Sequence, residues 1–122
     1  MREDMAKVIV ERPRVVDDIV MSPTSTADAA ALLIGLLERN APAGAYHLSN
    51  EGAATWREFA DEIFTQMGLR VRAEPIKSKD MMGLRRPAYS ALASEKLEKL
   101  GLKARPWREG LRDYLVAKGY VK

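Results

Sequence analysis

Two adjacent arginines, Arg85 and Arg86, stand before Pro87 in the segment LRRPAYSAL, which lacks the apolar periodicity of a helix. The planar guanidinium of arginine can bind two oxygens of one phosphate. A following proline stiffens the chain, so less entropy is lost on binding. A solvated surface loop would use the same residues, and the residues alone favour that plainer interpretation. The arginine pair is therefore a candidate phosphate contact that needs support from elsewhere in the chain.

A second pair, Tyr114 and Lys118, has the Tyr-x-x-x-Lys spacing of short-chain reductases. In those enzymes the lysine helps the tyrosine to act as an acid on a carbonyl group. Here the pair falls in a predicted C-terminal helix whose apolar stripe includes Tyr114, and no cofactor motif precedes it. We therefore predict that Tyr114 is a core residue and that the chain has no catalytic residues.

Other chemically capable residues are predicted to be structural. Asp17 and Asp18 are adjacent in a predicted strand, where neighbouring side chains point to opposite faces. They are predicted to serve in a turn or at a helix terminus rather than to act together on one substrate atom. His47 has no acid or serine spaced to orient it. With one histidine and no cysteine in the chain, we predict no metal site.

The composition is that of one globular domain: 122 residues, 47% apolar and 30% charged. It has no apolar run of membrane-spanning length and no secretory signal, and the lack of cysteine favours the cytoplasm. Residues 1–69 contain 6 Lys/Arg and 11 Asp/Glu, whereas residues 70–122 contain 14 and 6. The second half is thus the place to expect an anionic partner. Nucleic acid is an unlikely partner because few aromatic residues are left for base stacking and no recognised motif occurs.

Apolar periodicity and capping residues predict helices that alternate with short strands. The first predicted helix is MREDMAKVIVER. The second is capped by Ser25 and buries Leu32, Leu33, Leu36 and Leu37. The third runs from Thr55 to Gly68 and begins with a Thr55–Glu58 capping box. The last two are SEKLEKLG, capped by Ser94, and a helix starting near Pro106 that buries Trp107, Leu111, Tyr114 and Leu115. The predicted strands are RVVDDIV (14–20), AYHLS (45–49) and LRVRAEPI (69–76). The first two strands and the helix between them form a β-α-β unit, which implies parallel pairing.

Five short segments occur in the order and spacing of one family: VVDDxxxSPT (15–24), GAYHLS (44–49), TWREFA (55–60), RRPAYSAL (85–92) and KLEKLGLKARPWREGL (96–111). Together they resemble the C-terminal half of dTDP-4-dehydrorhamnose reductase, an extended short-chain dehydrogenase/reductase. The resemblance covers essentially the whole chain. It implies an α/β fold in which residues 1–49 form an incomplete Rossmann-like edge (β-α-β) of the cofactor domain. Residues 50–122 would then form a small α/β substrate-binding lobe.

The resemblance also implies a function. The family reduces a 4-keto nucleotide sugar with NADPH in dTDP-L-rhamnose synthesis. Its glycine fingerprint and catalytic Tyr-x-x-x-Lys lie upstream of the matching segments, and no GxGxxG occurs in this chain. We therefore expect nucleotide-sugar binding with no cofactor-binding residues and no cofactor for this chain alone. In the family, arginine in the loop matching LRRPAYSAL commonly faces the diphosphate, so Arg86, and after it Arg85, are the expected substrate contacts. Ser22 and Thr24 of the SPT turn are expected near the sugar.

Two interpretations remain open at this point. The chain is either a reductase-related fragment that binds a dTDP-sugar or a non-catalytic regulatory or interaction module. As a module it would form a homo-oligomer or dock on a partner, such as the missing N-terminal half of the family fold. Relatives commonly carry Gln and Gly where this chain has Ile19 and Met21, so the sugar itself is not assigned.

Overall fold

The computed structural model describes residues 13–80, 83, 86–93 and 95–121. The helix predicted over MREDMAKVIVER, the predicted cap Ser94 and the candidate ligand Arg85 lie outside the described residues. The chain divides into two compact units, each assembled from two separate stretches. The first unit combines the chain up to Met21 with Ala54–Ser90, and the second combines Ser22–Ala53 with the chain from Ala91 onward.

The described residues of the first unit form four short strands in two pairs. Strand β1 (Arg14–Val16) runs parallel to β4 (Glu74–Ile76), with Val15 opposite Pro75. Strand β2 (Val20–Met21) runs antiparallel to β3 (Ala54–Thr55). The strand predicted over residues 14–20 is therefore present in two pieces, interrupted at Asp17 and Asp18. A parallel strand pair together with helices confirms the predicted α/β class.

Helix α2 (Trp56–Gln66) follows β3 and begins at the predicted capping box. The Glu58 N–H donates to Thr55 Oγ1 over 3.0 Å, and the Thr55 N–H donates to a Glu58 carboxylate oxygen over 3.0 Å. Such caps typically stabilise a helix by about 1 kcal/mol. Gly68 follows the helix with φ +75°, the left-handed conformation in which glycine is favoured. Both ends of this helix were predicted, and both predictions are confirmed.

The outer side of α2 ties the first unit together through polar contacts. The Asp61 carboxylate accepts the Ala73 N–H over 2.7 Å, and the Arg57 Nε–H donates to the Ala73 carbonyl oxygen over 3.1 Å. Ala73 immediately precedes β4 and is 2% exposed. These two side chains therefore fix the backbone that leads into β4 and then into the 3-10 helix Ser78–Asp80.

In the second unit the described residues form three helices: α1 (Thr26–Glu38), α3 (Glu95–Lys99) and α4 (Trp107–Ala117). Ser25 caps α1 as predicted, because its Oγ accepts the Asp28 N–H over 3.3 Å. Leu32 and Leu36 of α1 pack with Leu97 of α3 to form the centre of the core.

Half of the leucines predicted to be buried on α1 are exposed. Leu32 and Leu36 are buried, but Leu33 and Leu37 are 49% and 70% exposed. Consecutive helical residues are rotated by about 100°, so a residue next to a buried one need not share its face. This helix is apolar on nearly every side, which leaves the sequence without an amphipathic signal to select one side.

The strand predicted over residues 45–49 is not formed within the described part of the chain. Tyr46 and Leu48 pack against the core leucines, whereas Ala45 and His47 are exposed. That alternation is typical of a half-buried strand, but side-chain alternation does not specify a backbone partner. The parallel partner of β1 is instead β4, so the predicted β-α-β unit is absent from the described residues.

Helix α4 buries Trp107, Leu111 and Leu115, all of which were predicted. The prediction that Tyr114 is a core residue is wrong, because Tyr114 is 53% exposed and its ring lies 5.9 Å from Lys118 Nζ. The three buried residues are spaced by four along the helix and define a narrow stripe, and Tyr114 lies at its border. In the described part of the chain no helix has the length and apolar character needed to cross a membrane.

Candidate functional site

The side chain of Arg86 is exposed, and the backbone that follows it is held in place. The Val20 N–H donates to the Ala88 carbonyl over 2.8 Å, and the Ser90 N–H donates to the Val20 carbonyl over 2.8 Å. The Ser90 hydroxyl adds a third contact to the same carbonyl over 3.3 Å. Arg86 therefore precedes by two residues a point at which the chain is bonded to β2. A guanidinium presented from a fixed backbone loses little entropy when it binds an anion.

The acidic pair, Asp17 and Asp18, binds residues 76–78, at the N-terminal end of the chain segment that leads to Arg86. The Asp17 carboxylate accepts Lys77 Nζ over 2.8 Å, and the Asp17 N–H donates to the Ile76 carbonyl over 3.2 Å. The Asp18 carboxylate accepts both the Ser78 N–H and the Ser78 hydroxyl, each over 3.0 Å. The two carboxylates were predicted to serve in a turn or at a helix terminus, and the Asp18 contacts lie at a helix terminus, the start of the 3-10 helix Ser78–Asp80.

The electrostatics of the acidic pair agree with these contacts. Burial would raise the pKa of the Asp18 carboxyl, but the hydrogen bonds from Ser78 outweigh it and hold that pKa below its ordinary value. The pKa of Lys77 is raised by its hydrogen bond to Asp17 and by the charge of that carboxylate. The Asp18 carboxylate is thus stabilised in the charged form by Ser78, the first residue of the 3-10 helix.

Ser22 and Thr24 lie in the second unit, in the turn that precedes α1. Ser22 is half-buried, and its Oγ accepts the Leu92 N–H over 2.8 Å. The Thr24 hydroxyl donates to the Ser22 carbonyl over 2.9 Å. The two hydroxyls therefore hold the turn in shape. The Ser22 hydroxyl keeps its own proton for donation, because a hydroxyl can accept and donate at once.

A buried polar network in the second unit was not predicted. Asn50 is 1% exposed, and its Oδ1 accepts the Ser25 N–H over 2.7 Å. Its Nδ2 donates to Asp28 Oδ2 over 2.7 Å and to the Arg105 carbonyl over 3.2 Å. Asp28 also accepts Arg105 Nη2 over 2.7 Å. Hydrogen bonds to Asp113 and Asp28 raise the pKa of Arg105. No local sequence signal identifies Asn50, since asparagine before Glu-Gly is also typical of a turn.

Helix α4 approaches this network at Gly110. A Cβ atom there would lie 2.7 Å from Asp28 Oδ2, 3.2 Å from Ser25 Cβ and 3.3 Å from Asn50 Nδ2. The glycine is therefore required by close packing rather than by its backbone conformation. The network holds the start of α1, and hence the end of the turn that contains Ser22 and Thr24.

The remaining candidates have no role in this arrangement. His47 is exposed, and in the described residues no cluster of three or more His, Asp or Glu side chains could hold a metal ion. What the described geometry offers chemically is a permanent cation two residues before a bonded segment in the first unit and hydroxyl groups in the second.

Known proteins with similar sequences and structures place the chain in one family. The family model described as RmlD substrate binding domain matches residues 4–119. The spore coat polysaccharide biosynthesis protein SpsK of Bacillus subtilis is 41% identical over 103 residues, which cover 84% of this chain and 36% of SpsK. The dTDP-4-dehydrorhamnose reductase of Streptomyces griseus is 37% identical over 114 residues, again covering 84% of this chain and 36% of the relative.

A solved structure gives the same result. The dTDP-4-dehydrorhamnose reductase of Bacillus anthracis, in complex with NADP, superimposes with a TM-score of 0.78 at 30% identity, over 94% of this chain and 41% of that chain. The chain thus spans well under half the length of the relatives that it matches. It belongs to the RmlD substrate binding domain family and corresponds to the C-terminal part of the dTDP-4-dehydrorhamnose reductases.

Proposed function

We propose that this chain supplies the nucleotide-sugar binding of a dTDP-4-dehydrorhamnose reductase and does not turn over substrate by itself. The observation that carries the proposal is the match of a substrate-binding-domain family to residues 4–119, while the chain covers only 36% of the Streptomyces griseus reductase. The assignment of residues 1–49 to the cofactor-domain edge and of residues 50–122 to the substrate lobe is part of this proposal. So is a location in the cytoplasm, which the lack of cysteine favours.

The described residues do not fit NADPH, although the Bacillus anthracis relative binds NADP. A dinucleotide needs a glycine-rich turn between a strand and a helix, so that the backbone can approach the pyrophosphate. The turn between β2 and α1 contains Ser22, the buried Pro23 and Ser25, whose own hydroxyl caps the helix. We therefore assign the reducing cofactor and the proton donor to the part of the family fold that these residues do not represent.

Arg86 is our proposed diphosphate contact. Its charge is permanent, its side chain is exposed and Pro87 restricts the chain beside it. Residues 70–122 also carry 14 Lys/Arg against 6 Asp/Glu, an excess of positive charge that favours an anionic partner. Ser22 and Thr24 are proposed, separately, as hydroxyl contacts to the sugar.

Binding without turnover is the expected result for the purified chain. Calorimetric titration with dTDP should show binding that is about tenfold weaker in Arg86→Ala, because a charge-assisted hydrogen bond contributes about 1.5–3 kcal/mol. With a dTDP-4-keto sugar present, NADPH absorbance should stay constant. Arg72→Ala removes the same charge from another exposed position in the first unit and should bind dTDP like the unsubstituted chain. Equal affinity in Arg86→Ala would exclude this arginine, and sustained NADPH oxidation would contradict the absence of turnover.

A second candidate function, a non-catalytic interaction module, is favoured by the outer face of α1. This face consists of six exposed apolar residues: Ala27, Ala30, Ala31, Leu33, Ile34 and Leu37. A helix that is apolar on all sides is normally covered on all sides. The relatives continue beyond the matched region for more than half of their length, so we propose the N-terminal part of the family fold as the partner that covers this face.

Without that partner the purified chain should self-associate through the outer face of α1. Burying each large aliphatic side chain contributes about 1.5–3 kcal/mol, so light scattering should detect dimers that increase with protein concentration. Leu37→Lys should shift the population to monomer. Val116→Lys places the same charge on a 45% exposed residue of α4 and should leave the distribution unchanged. A strictly monomeric chain at high concentration would rule out this use of the face.

A further inference from the structure

We infer that Asp18 is a positioning residue that holds Arg86 in its binding conformation. The inference rests on the proposed contact between Arg86 and a diphosphate, and it assigns a cause to that contact. Asp18 does not itself bind the ligand in this account. It acts through the backbone of the stretch that contains the arginine.

The stretch that contains Arg86 leaves the sheet at the end of β4. The parallel pairing of β1 with β4 ends at Val16 and Ile76, but contacts continue for two more residues on each side. Asp17 forms an ion pair of 2.8 Å with Lys77, and the Asp18 carboxylate accepts hydrogen bonds from the N–H and the hydroxyl of Ser78. The Asp18 carboxylate therefore extends the pairing beyond the strands and fixes the first residue of the 3-10 helix.

The same stretch returns to the first unit's strands at Val20 of β2. Val20 bonds to Ala88 and Ser90 through its own N–H and carbonyl, in a parallel bridge centred on Tyr89. The opposite edge of Val20 pairs with Thr55 of β3. The return is thus anchored to β2, which is itself held on both sides.

These contacts mean that three residues, Asp17, Asp18 and Val20, hold both ends of the stretch that carries Arg86. Fixing both ends of a chain segment removes conformations that would otherwise have to be lost on binding. Asp17 and Asp18 supply the side-chain part of this restraint at its first end, and Asp18 holds Ser78, the residue nearer to Arg86 in the sequence. Releasing Ser78 from Asp18 should therefore weaken ligand binding without removing any group that touches the ligand.

The experiment is calorimetric titration of the full chain with dTDP. Asp18→Asn should weaken binding about fivefold, a coupling within the usual range for residues that act together. A weakening of dTDP binding would be informative, because the loss of a negative charge would by itself strengthen the binding of an anion. Asp80→Asn makes the same charge change on an exposed residue of the same 3-10 helix and should not weaken binding. Ser78→Ala, which removes only the hydroxyl donor, should weaken binding to a smaller extent than Asp18→Asn.

A double-mutant cycle separates positioning from general destabilisation. In the Arg86→Ala background, Asp18→Asn should have no further effect on dTDP affinity, because there is no guanidinium left to position. An equal loss in both backgrounds would assign Asp18 a purely structural role and overturn the inference. Unchanged affinity of Asp18→Asn and Ser78→Ala, with Arg86→Ala weakened, would overturn the inference while the proposed function stands. Unchanged affinity of Arg86→Ala would remove the phosphate contact and the inference with it.

Discussion

Asn50→Ala is expected to lower the free energy of unfolding by about 3 kcal/mol, measured by urea denaturation. Asn50 makes three hydrogen bonds from a position that is 1% exposed. Alanine would leave the Ser25 N–H without this acceptor and would remove one bond from the Arg105 carbonyl, which still accepts the Glu51 N–H over 2.7 Å. A buried polar group left unpaired costs about 1–3 kcal/mol, and a hydrogen bond to a charged group, such as the one from Asn50 to Asp28, contributes about 1.5–3 kcal/mol. The hydrophobic contribution of alanine is too small to compensate.

Two further variants test the cause of that loss. Glu51→Ala changes the exposed side chain of the next residue and should alter stability by less than about 0.5 kcal/mol. Asn50→Asp keeps an acceptor for Ser25 but places a carboxyl oxygen where Nδ2 now lies 2.7 Å from Asp28. Its destabilisation should be smaller in acid, where one carboxyl of the pair is protonated. A loss for Asn50→Ala no larger than that for Glu51→Ala would show that the network contributes little.

Gly110→Ala is expected to destabilise the chain by about 2 kcal/mol, although alanine is favoured over glycine in a helix by about 1 kcal/mol. The added Cβ would lie 2.7 Å from the Asp28 carboxylate, which is held by Asn50 and Arg105 and cannot easily move. Overpacking against a fixed group therefore outweighs the gain in helix propensity. Thermal or urea unfolding gives the free energy directly.

Gly35→Ala is the matched control in α1, the other helix with an interior glycine. There the new Cβ would meet Leu102 Cδ2 at 2.6 Å, but this methyl is the end of a flexible side chain that can rotate away. We expect a change of less than about 1 kcal/mol, since the propensity gain offsets the adjustment. If Gly110→Ala were as well tolerated as Gly35→Ala, the close approach of α4 to the network would not be a structural constraint.

Features that depend on neighbouring residues were predictable from the sequence. The capping box of α2 joins Thr55 and Glu58, and the cap of α1 joins Ser25 and Asp28, so each is complete within four residues. The glycine after α2 was predictable because the left-handed conformation that ends a helix favours glycine. Because these signals are local, they do not depend on how the rest of the chain folds.

Features that join distant residues were not predictable from local patterns. Strand β1 pairs with β4, sixty residues farther along the chain, rather than with residues 45–49, because alternation of side chains does not name a partner. The buried side of α1 could not be selected because both sides are apolar. Tyr114 was misplaced because it borders the stripe formed by Trp107, Leu111 and Leu115.

The candidate site shows the same division. The residue types and the family motif together indicated Arg86, and the adjacency of Asp17 and Asp18 indicated a turn. Neither pattern predicted that one short segment of β2 and its preceding turn would anchor both ends of the arginine stretch. That arrangement depends on contacts between residues that are far apart in the sequence, such as Asp18 and Ser78, which are separated by 60 positions.

The interleaving of the two units has a consequence for how this polypeptide can be handled. The chain passes between the units after Met21, after Ala53 and after Ser90. A break at any single peptide bond therefore leaves at least one unit lacking a piece of itself. Dissection by truncation or by a protease should yield unstable products rather than two separable halves, and any transfer of this region into another polypeptide must carry it whole.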